Sequence, residues 1–372
     1  MIMRIGVDGI PFAFEFTGIA RYVFSMLKEM VAVAKSDEFI IYAPVPIDLN
    51  LPGNNWCIRA IPSWLSSRPT LWSQFVLPEM LAKDKIDIFW GQPTYLPLRV
   101  KNKCRRVLTL HDLVPYVCPA SMQFRALVRM RLLLKQVVNA ADVVICVSNA
   151  TAEMAKKILR VNAGKVRVVK EAAAESFQPK EKNEARKVVR EKFQIDSDYI
   201  IFVSTIEPRK EHLTLLRAIN QLAKPPLLVL VGGKGWRYQQ IMKEISHFEK
   251  AGKVRFLGRV GDTDLCYLYS AALIAVYPSR YEGFGLPVLE AMACGCPVLC
   301  SDSSSLPEIG GDAAVYFRTG DFRDLAGRIK EVLGDNYRLK QMAEAGREWV
   351  KQFSFRQSAE EMMAIIKEGS RY

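Results

Sequence analysis

The apolar runs in this chain are continuous, not alternating, and stretches with helical periodicity separate them. A strand with one wet face alternates apolar and polar residues. A strand covered on both faces does not, and such cover belongs to parallel sheets. One series of runs is Arg4–Asp8, Phe39–Tyr42, Ile86–Trp90, Arg106–Leu110, Val143–Val147 and Val166–Val169. A second is Tyr199–Ser204, Leu227–Val231, Val254–Leu257, Leu273–Tyr277, Pro297–Ser301 and Ala314–Phe317. Two series of alternating strand and helix predict an α/β chain with two doubly wound, Rossmann-like domains. A length of 372 residues agrees. Between the series lies the polar segment Gln178–Asp198, with a surface helix expected over Glu184–Phe193 and Asn183 as its N-cap. The expected domains are therefore 1–178 and 179–353, followed by a terminal helix within 354–372 with Ser354 at its N-cap.

Composition narrows the classes further. Half of the residues are hydrophobic and 24% are charged, which favours large cores over disorder. No apolar run approaches the roughly 18 residues of a membrane-spanning helix. The opening Met1–Asp8 reads as a buried strand, not a signal peptide. Eight cysteines show no CxxC spacing, so reduced thiols and a cytoplasmic location are expected. Two Asp-x-Asp triplets invite a metal reading. Asp196-Ser197-Asp198 precedes a strand, at the wrong end of its sheet, and Asp262-Thr263-Asp264 reads as a helix start with Asp262 as N-cap. No metal is expected at either.

The formal net charge of +13 is unevenly spread. Between Lys101 and Lys135 eight bases stand against one acid, Asp112. A helix expected over 122–139 would put Arg125, Arg129, Arg131 and Lys135 on one face. Leu127, Met130, Leu133, Leu134, Val137 and Val138 would lie on the opposite one. That leaves two readings: a solvated face over a core stripe, or a surface that docks on anionic lipid. No nucleic-acid module or aromatic–basic interleaving appears.

The chemistry concentrates in residues 279–299. Glu282 and Glu290 are separated by seven residues, among them Gly283, Gly285 and Pro287. Pro287 suits the first turn of a helix and Gly295 its exit. Strand, glycine-containing loop and helix start together make a site for a phosphate or a polyhydroxylated ligand. Upstream, Arg209 and Lys210 follow a strand in a turn set by Pro208, where adjacent cations can neutralise a diphosphate. His111, one of only three histidines, also follows a strand. Gly18 precedes a helix and lets a ligand approach the backbone. Gly232-Gly233-Lys234-Gly235 is not a P-loop, because Gly235 stands where the motif needs Ser or Thr.

The stretch resembles the E-x7-E signature of retaining glycosyltransferases of family four. So, in order, do Gly6-Val7-Asp8, Thr17-Gly18-Ile19, His111-Asp112-Leu113, Thr205-Ile206-Glu207-Pro208-Arg209-Lys210 and Leu230-Val231-Gly232-Gly233. The resemblance covers most of the chain. It implies the GT-B fold: two Rossmann-like domains facing across a cleft, with the last helix crossing back to the first. It implies that Arg209 and Lys210 contact the nucleotide diphosphate, that His111 and Glu282 meet the transferred sugar, and that Glu290 binds the ribose. Gly18, Gly283, Phe284, Gly285 and Leu286 would line the donor. The family reaction retains anomeric configuration and needs neither a covalent nucleophile nor a metal cofactor. The Thr-Ile-Glu-Pro-Arg-Lys segment is most similar to mannosyltransferases using GDP-mannose, with UDP- and dTDP-sugars left open. A saccharide acceptor, lipid-linked at the cytoplasmic membrane face as in O-antigen or other surface polysaccharide assembly, is the expected partner. Two departures stand out. Glu211 replaces the Asn common after the lysine, and Lys170-Glu171-Ala172-Ala173-Ala174 replaces the usual Asn-Gly-Val-Asp, so no ligand contact is assigned there.

Overall fold

A computed structural model describes residues 2–14, 18–101 and 103–368. The chain divides into two compact units. The first comprises Met1–Leu113, Arg125–Glu171 and Ser354–Tyr372, and the second Val114–Phe124 and Ala172–Phe353.

The first unit holds a seven-stranded sheet: β1 (Arg4–Asp8), β2 (Glu38–Ala43), β3 (Trp56–Ala60), β4 (Ile88–Gly91), β5 (Arg105–Leu110), β6 (Val143–Cys146) and β7 (Val166–Val168), in the order β3-β2-β1-β4-β5-β6-β7. The second holds six: β8 (Tyr199–Val203), β9 (Leu227–Val231), β10 (Val254–Phe256), β11 (Ile274–Tyr277), β12 (Val298–Ser301) and β13 (Ala314–Phe317), in the order β10-β9-β8-β11-β12-β13. Every pairing is parallel. Strand order reverses between β1 and β4 in one sheet and between β8 and β11 in the other. In doubly wound sheets a crevice opens at that reversal, beyond the carboxyl ends of the strands.

The sequence reading missed β3. It is an edge strand, half-buried and exposed by turns, so it carries no continuous apolar run. The unit limits also differ from the expected ones. The stretch after Glu171 packs with the second unit: Phe177 is buried, Cys266 Sγ donates to the Ser176 carbonyl, and the Lys180 amide donates to Ser270 Oγ. Two helix caps differ as well. Glu181, not Asn183, caps the helix Lys182–Phe193, since its carboxylate accepts from the amides of Asn183 and Glu184. Gly261 takes the cap position of Asp262–Ala271, leaving Asp262 inside the first turn.

The terminal helix Phe355–Glu368 packs on the helix Gly18–Val33. Ala359, Met362, Met363 and Ile366 enter the core that also holds Tyr22, Val23, Met26 and Leu27. Burying the three larger side chains is worth about 1.5–3 kcal/mol each. Two polar ties fix the register: Arg105 donates to the Ile366 carbonyl at 2.9 Å, and Ser358 Oγ to that of Lys170 at 2.7 Å.

Candidate active site

In the second unit the reversal between β8 and β11 carries most of the charged residues singled out above. The turn Pro208–Lys210 follows β8 and the loop bearing Glu282 follows β11. Lys210 Nζ lies 2.5 Å from Glu282 Oε1, and Arg209 Nη1 lies 3.0 Å from Glu282 Oε2. Ser279 Oγ donates to Glu282 Oε1 at 2.6 Å. Arg209 also donates to the Tyr281 carbonyl at 2.9 Å and pairs through Nη2 with Glu207 at 2.7 Å. Two cations and two carboxylates therefore balance. A diphosphate entering here competes with Glu207 and Glu282 for the same donors.

Burial decides the electrostatics of this cluster. It pushes the Glu282 carboxyl up, but Lys210 and Arg209 outweigh it and hold the group at about 2. Burial, reinforced by Arg209 and opposed by Glu282, lowers the Lys210 ammonium below its usual range. His212 lies beneath, its Nε2 3.2 Å from Ser204 Oγ and its ring on Phe202. Burial, then Lys210, depresses it to about 3, so it is a neutral structural group at pH 7.

The loop is held by serines that the sequence reading passed over. The Glu282 amide donates to Ser304 Oγ at 2.9 Å, and Ser305 Oγ donates to the Phe284 carbonyl at 2.5 Å. Ser301 and Ser303 hold the carbonyls of Ser279 and Arg280. The run Ser301-Asp302-Ser303-Ser304-Ser305 after β12 is the signal that could have found them. Gly285 has φ +118° and caps the helix Leu286–Ala293, with Pro287 in its first turn. A Cβ there would stand 3.1 Å from Leu306 Cδ2. Phe284 is buried edge-on to Phe353. Glu290 lies within the helix, 6% exposed. Gly295 has φ +72°, as a helix exit requires.

Glu211 explains how the Asn departure is tolerated. It adopts φ +56°, a left-handed conformation that Asn enters more readily than Glu. The glutamate recovers the cost through Arg280, whose Nε donates to it at 2.7 Å, and through a hydrogen bond from Thr214 Oγ1. Gly232, with φ +143°, is required sterically, since a Cβ would fall 2.0 Å from the Ser204 carbonyl oxygen.

His111 and Gly18 belong to the first unit. Gly18 is the exposed first residue of its helix with open space around it, and Thr17 lies outside the described residues. His111 follows β5 in a buried polar cluster. Nδ1 is 3.1 Å from Glu171 Oε1 and Nε2 is 2.8 Å from Gln92 Oε1. Glu171, to which the sequence reading gave no role, is thus a partner of His111. Its signal was a lone acid two positions after the strand-like stretch Val166–Val169, beyond Lys170. Asp8 ends β1 nearby and accepts from the Ile10 amide at 3.0 Å; burial raises its carboxyl to about 7.

Two family models match the chain: Glycosyltransferase Family 4 over residues 16–172, and Glycosyl transferases group 1 over residues 184–349. The chain is 30% identical over 371 residues to the O-antigen chain mannosyltransferase B of Escherichia coli, covering 95% of this chain and 96% of that one. The chain belongs to glycosyltransferase family 4. This glycosyltransferase is also 29% identical over 229 residues to the O-antigen chain mannosyltransferase RfbU of Salmonella typhimurium strain LT2, covering 61% and 60% of the two chains. Among solved structures, the sucrose-phosphate synthase from Thermosynechococcus elongatus superposes with a TM-score of 0.80 over 98% of both chains at 20% identity, a likeness of fold. The two doubly wound units of the glycosyltransferase are those of the GT-B class, as expected.

Proposed function

We propose that the enzyme is a retaining mannosyltransferase that moves mannose from GDP-mannose to a saccharide acceptor, lipid-linked, in surface polysaccharide or O-antigen assembly. The observation that carries this reading is the meeting of Arg209, Lys210 and Glu282 at the reversal of the second sheet. The names of the two mannosyltransferase relatives support the choice of sugar.

Departure of the diphosphate builds negative charge on the leaving group and positive charge on the anomeric carbon. Arg209 and Lys210 turn from the carboxylates to the phosphate oxygens and stabilise the first, a preorganised electrostatic role. Lys210 released from Glu282 frees that carboxylate for sugar hydroxyls. Amides between Gly283 and Leu286 and the helix start beyond them add positive potential. By the family resemblance Glu290 is assigned to the ribose, His111 to the transferred sugar and Gly18 to donor binding. The two cations do the work a divalent ion would do, so transfer proceeds without metal.

The enzyme works at the cytoplasmic face of an anionic membrane in this reading. No helix among the described residues is long and apolar enough to cross a bilayer. The helix Phe124–Ala140 supplies a docking face instead. Leu134, Val137 and Val138 are buried, while Phe124, Val128 and Leu132, four residues apart, are 76%, 41% and 63% exposed. Exposed Arg125, Arg129 and Lys135 share that face. Apolar side chains among bases favour lipid over a merely solvated surface. A donor screen tests the enzymatic reading: GDP-mannose, UDP-sugars and dTDP-sugars are compared by nucleotide release, with and without chelator. Turnover of GDP-mannose in chelator is expected. Turnover of UDP- or dTDP-sugars alone, or an absolute need for magnesium, overturns the assignment.

A further inference from the structure

Between Asp48 and Glu79 the chain carries no acid, and in that stretch it sends large apolar side chains into water. Trp64 is 84% exposed, Phe75 67% and Leu71 38%. Single exposed apolar residues need no explanation, but these are held out by built structure. Trp64 stands second in a turn that the Ser66 amide closes on the Ser63 carbonyl at 3.0 Å. The Ser63 amide donates to Ser66 Oγ at 2.8 Å, and that hydroxyl donates to the Pro44 carbonyl at 2.8 Å. Leu65, next in the turn, is buried. The turn is therefore pinned while its tryptophan stays in water. Leu71 and Phe75 lie one helical turn apart on the helix Pro69–Phe75. Trp72 anchors that helix from within: it is fully buried, and its Nε1 donates to the Ile61 carbonyl at 3.0 Å.

The charge around these side chains is predominantly positive. Arg68 is exposed between Trp64 and Leu71. Gln74 ties the helix to the next crossover, since its Nε2 donates to the Leu96 carbonyl at 3.0 Å and its Oε1 accepts from the Leu98 amide at 2.9 Å. That strip runs on into exposed Arg99, Lys101 and Lys103, of which Lys101 pairs with Glu79. The crossovers β3–β4, β4–β5 and β5–β6 step the same way along the first sheet. Right-handed connections put all three on one face of it, and the helix Gly18–Val33 on the other. The patch thus shares a sheet face with the helix Phe124–Ala140. Arg129 of that helix is close enough to Tyr95 to oppose the rise that burial and Asp8 give its hydroxyl. Indole and phenyl rings suit the depth of lipid headgroups, and bases beside them suit anionic ones. A second copy of this chain would set the same bases against each other across a two-fold axis.

We propose that Trp64, Leu71 and Phe75 form a second membrane anchor, which enters the headgroup–acyl boundary of an anionic bilayer from the same sheet face as the helix Phe124–Ala140. Its occupant rests on the membrane-surface reading above; the patch itself does not. The probe is vesicles of phosphatidylglycerol and phosphatidylcholine, with and without bromine on the acyl chains. Trp64 is the most exposed of the six tryptophans, and Trp72 and Trp90 are fully buried. Brominated chains should quench the wild-type tryptophan emission on binding. Trp64→Tyr should bind as well as wild type, since tyrosine suits the same depth, but lose most of that quenching. Trp64→Ser/Phe75→Ser should lose at least about tenfold in partition with an unchanged melting curve, because two large apolar side chains no longer leave water. Binding with equal quenching in Trp64→Tyr, or full partition of the serine variant, overturns the second anchor and leaves the helix Phe124–Ala140 as the membrane face. A wild type that ignores the vesicles overturns the membrane-surface reading and this anchor with it. A dimer that the serine variant dissolves, with no quenching of the wild type, gives the patch to a second copy and overturns the proposal as well.

Discussion

Replacing Lys210 separates what the charged cluster does for the fold from what it does for the reaction. Lys210 is 7% exposed, and its ammonium lies 2.5 Å from Glu282. Removing one partner from a buried ion pair costs about 3–5 kcal/mol when the other charge is left alone. Glu282 is not left alone here, because Arg209 Nη1 at 3.0 Å and Ser279 Oγ at 2.6 Å remain. We therefore expect Lys210→Met to lose about 2–3 kcal/mol, at or just below the lower end of that range. For a unit of this size that lowers the melting temperature by about 5–10 °C. The double variant Lys210→Met/Glu282→Gln removes the stranded charge and should recover to within about 1 kcal/mol of wild type. Transfer behaves differently. Lys210→Met should lower turnover by about two orders of magnitude or more, and the double variant should not regain it. The assays are urea unfolding and donor turnover on the same three proteins. A stable, active Lys210→Met variant removes the lysine from the site, and recovery of activity with stability would show that the cluster is only structural.

Other outcomes follow from the same structure. His212 is held at about 3 against its ordinary 6.5, so the stability it contributes is present above pH 6.5 and lost as pH falls toward 3. Glu282, held at about 2 against 4.5, adds a second loss from pH 4.5 downward. His212→Gln should remove the first leg of the acid-unfolding profile and leave the second, and an unchanged profile contradicts the burial argument. Gly232→Ala should cost at least about 2 kcal/mol, since the new Cβ would collide with the Ser204 carbonyl and a strained backbone cannot relax cheaply; a variant as stable as wild type refutes the close packing there. Arg125→Ser/Arg129→Ser/Leu132→Ser should release the protein from anionic vesicles with donor hydrolysis unchanged, because each base near such a surface is worth about 1 kcal/mol. Equal vesicle binding favours a solvated face.

The fold was legible because parallel strands buried on both faces leave continuous apolar runs. Where burial is one-sided the signal fails, as at β3. At the site, Glu282, Arg209 and Lys210 were legible as charges in loops after strands, and the structure brings them together. Their supports were not. Ser301, Ser303, Ser304 and Ser305 act across about twenty positions of sequence, where no local pattern ties a hydroxyl to its carbonyl. Glu171 and Gln92 meet His111 from 60 and 19 positions away. Caps misread by one or two positions, at Asn183 and Asp262, reflect competition among neighbouring polar residues that each suit the role.

The most direct measurement is calorimetric titration of GDP into the wild type, Glu282→Gln and Glu290→Gln. If the second unit holds the donor, the wild type binds GDP. Glu290→Gln should weaken it by about 1.5–3 kcal/mol through loss of a charged acceptor to the ribose. Glu282→Gln should keep GDP affinity, or gain a little as Arg209 and Lys210 are freed, while transfer collapses. Loss of GDP binding in Glu282→Gln with full binding in Glu290→Gln would reverse the two roles, and no GDP binding by the wild type contradicts the account at its centre.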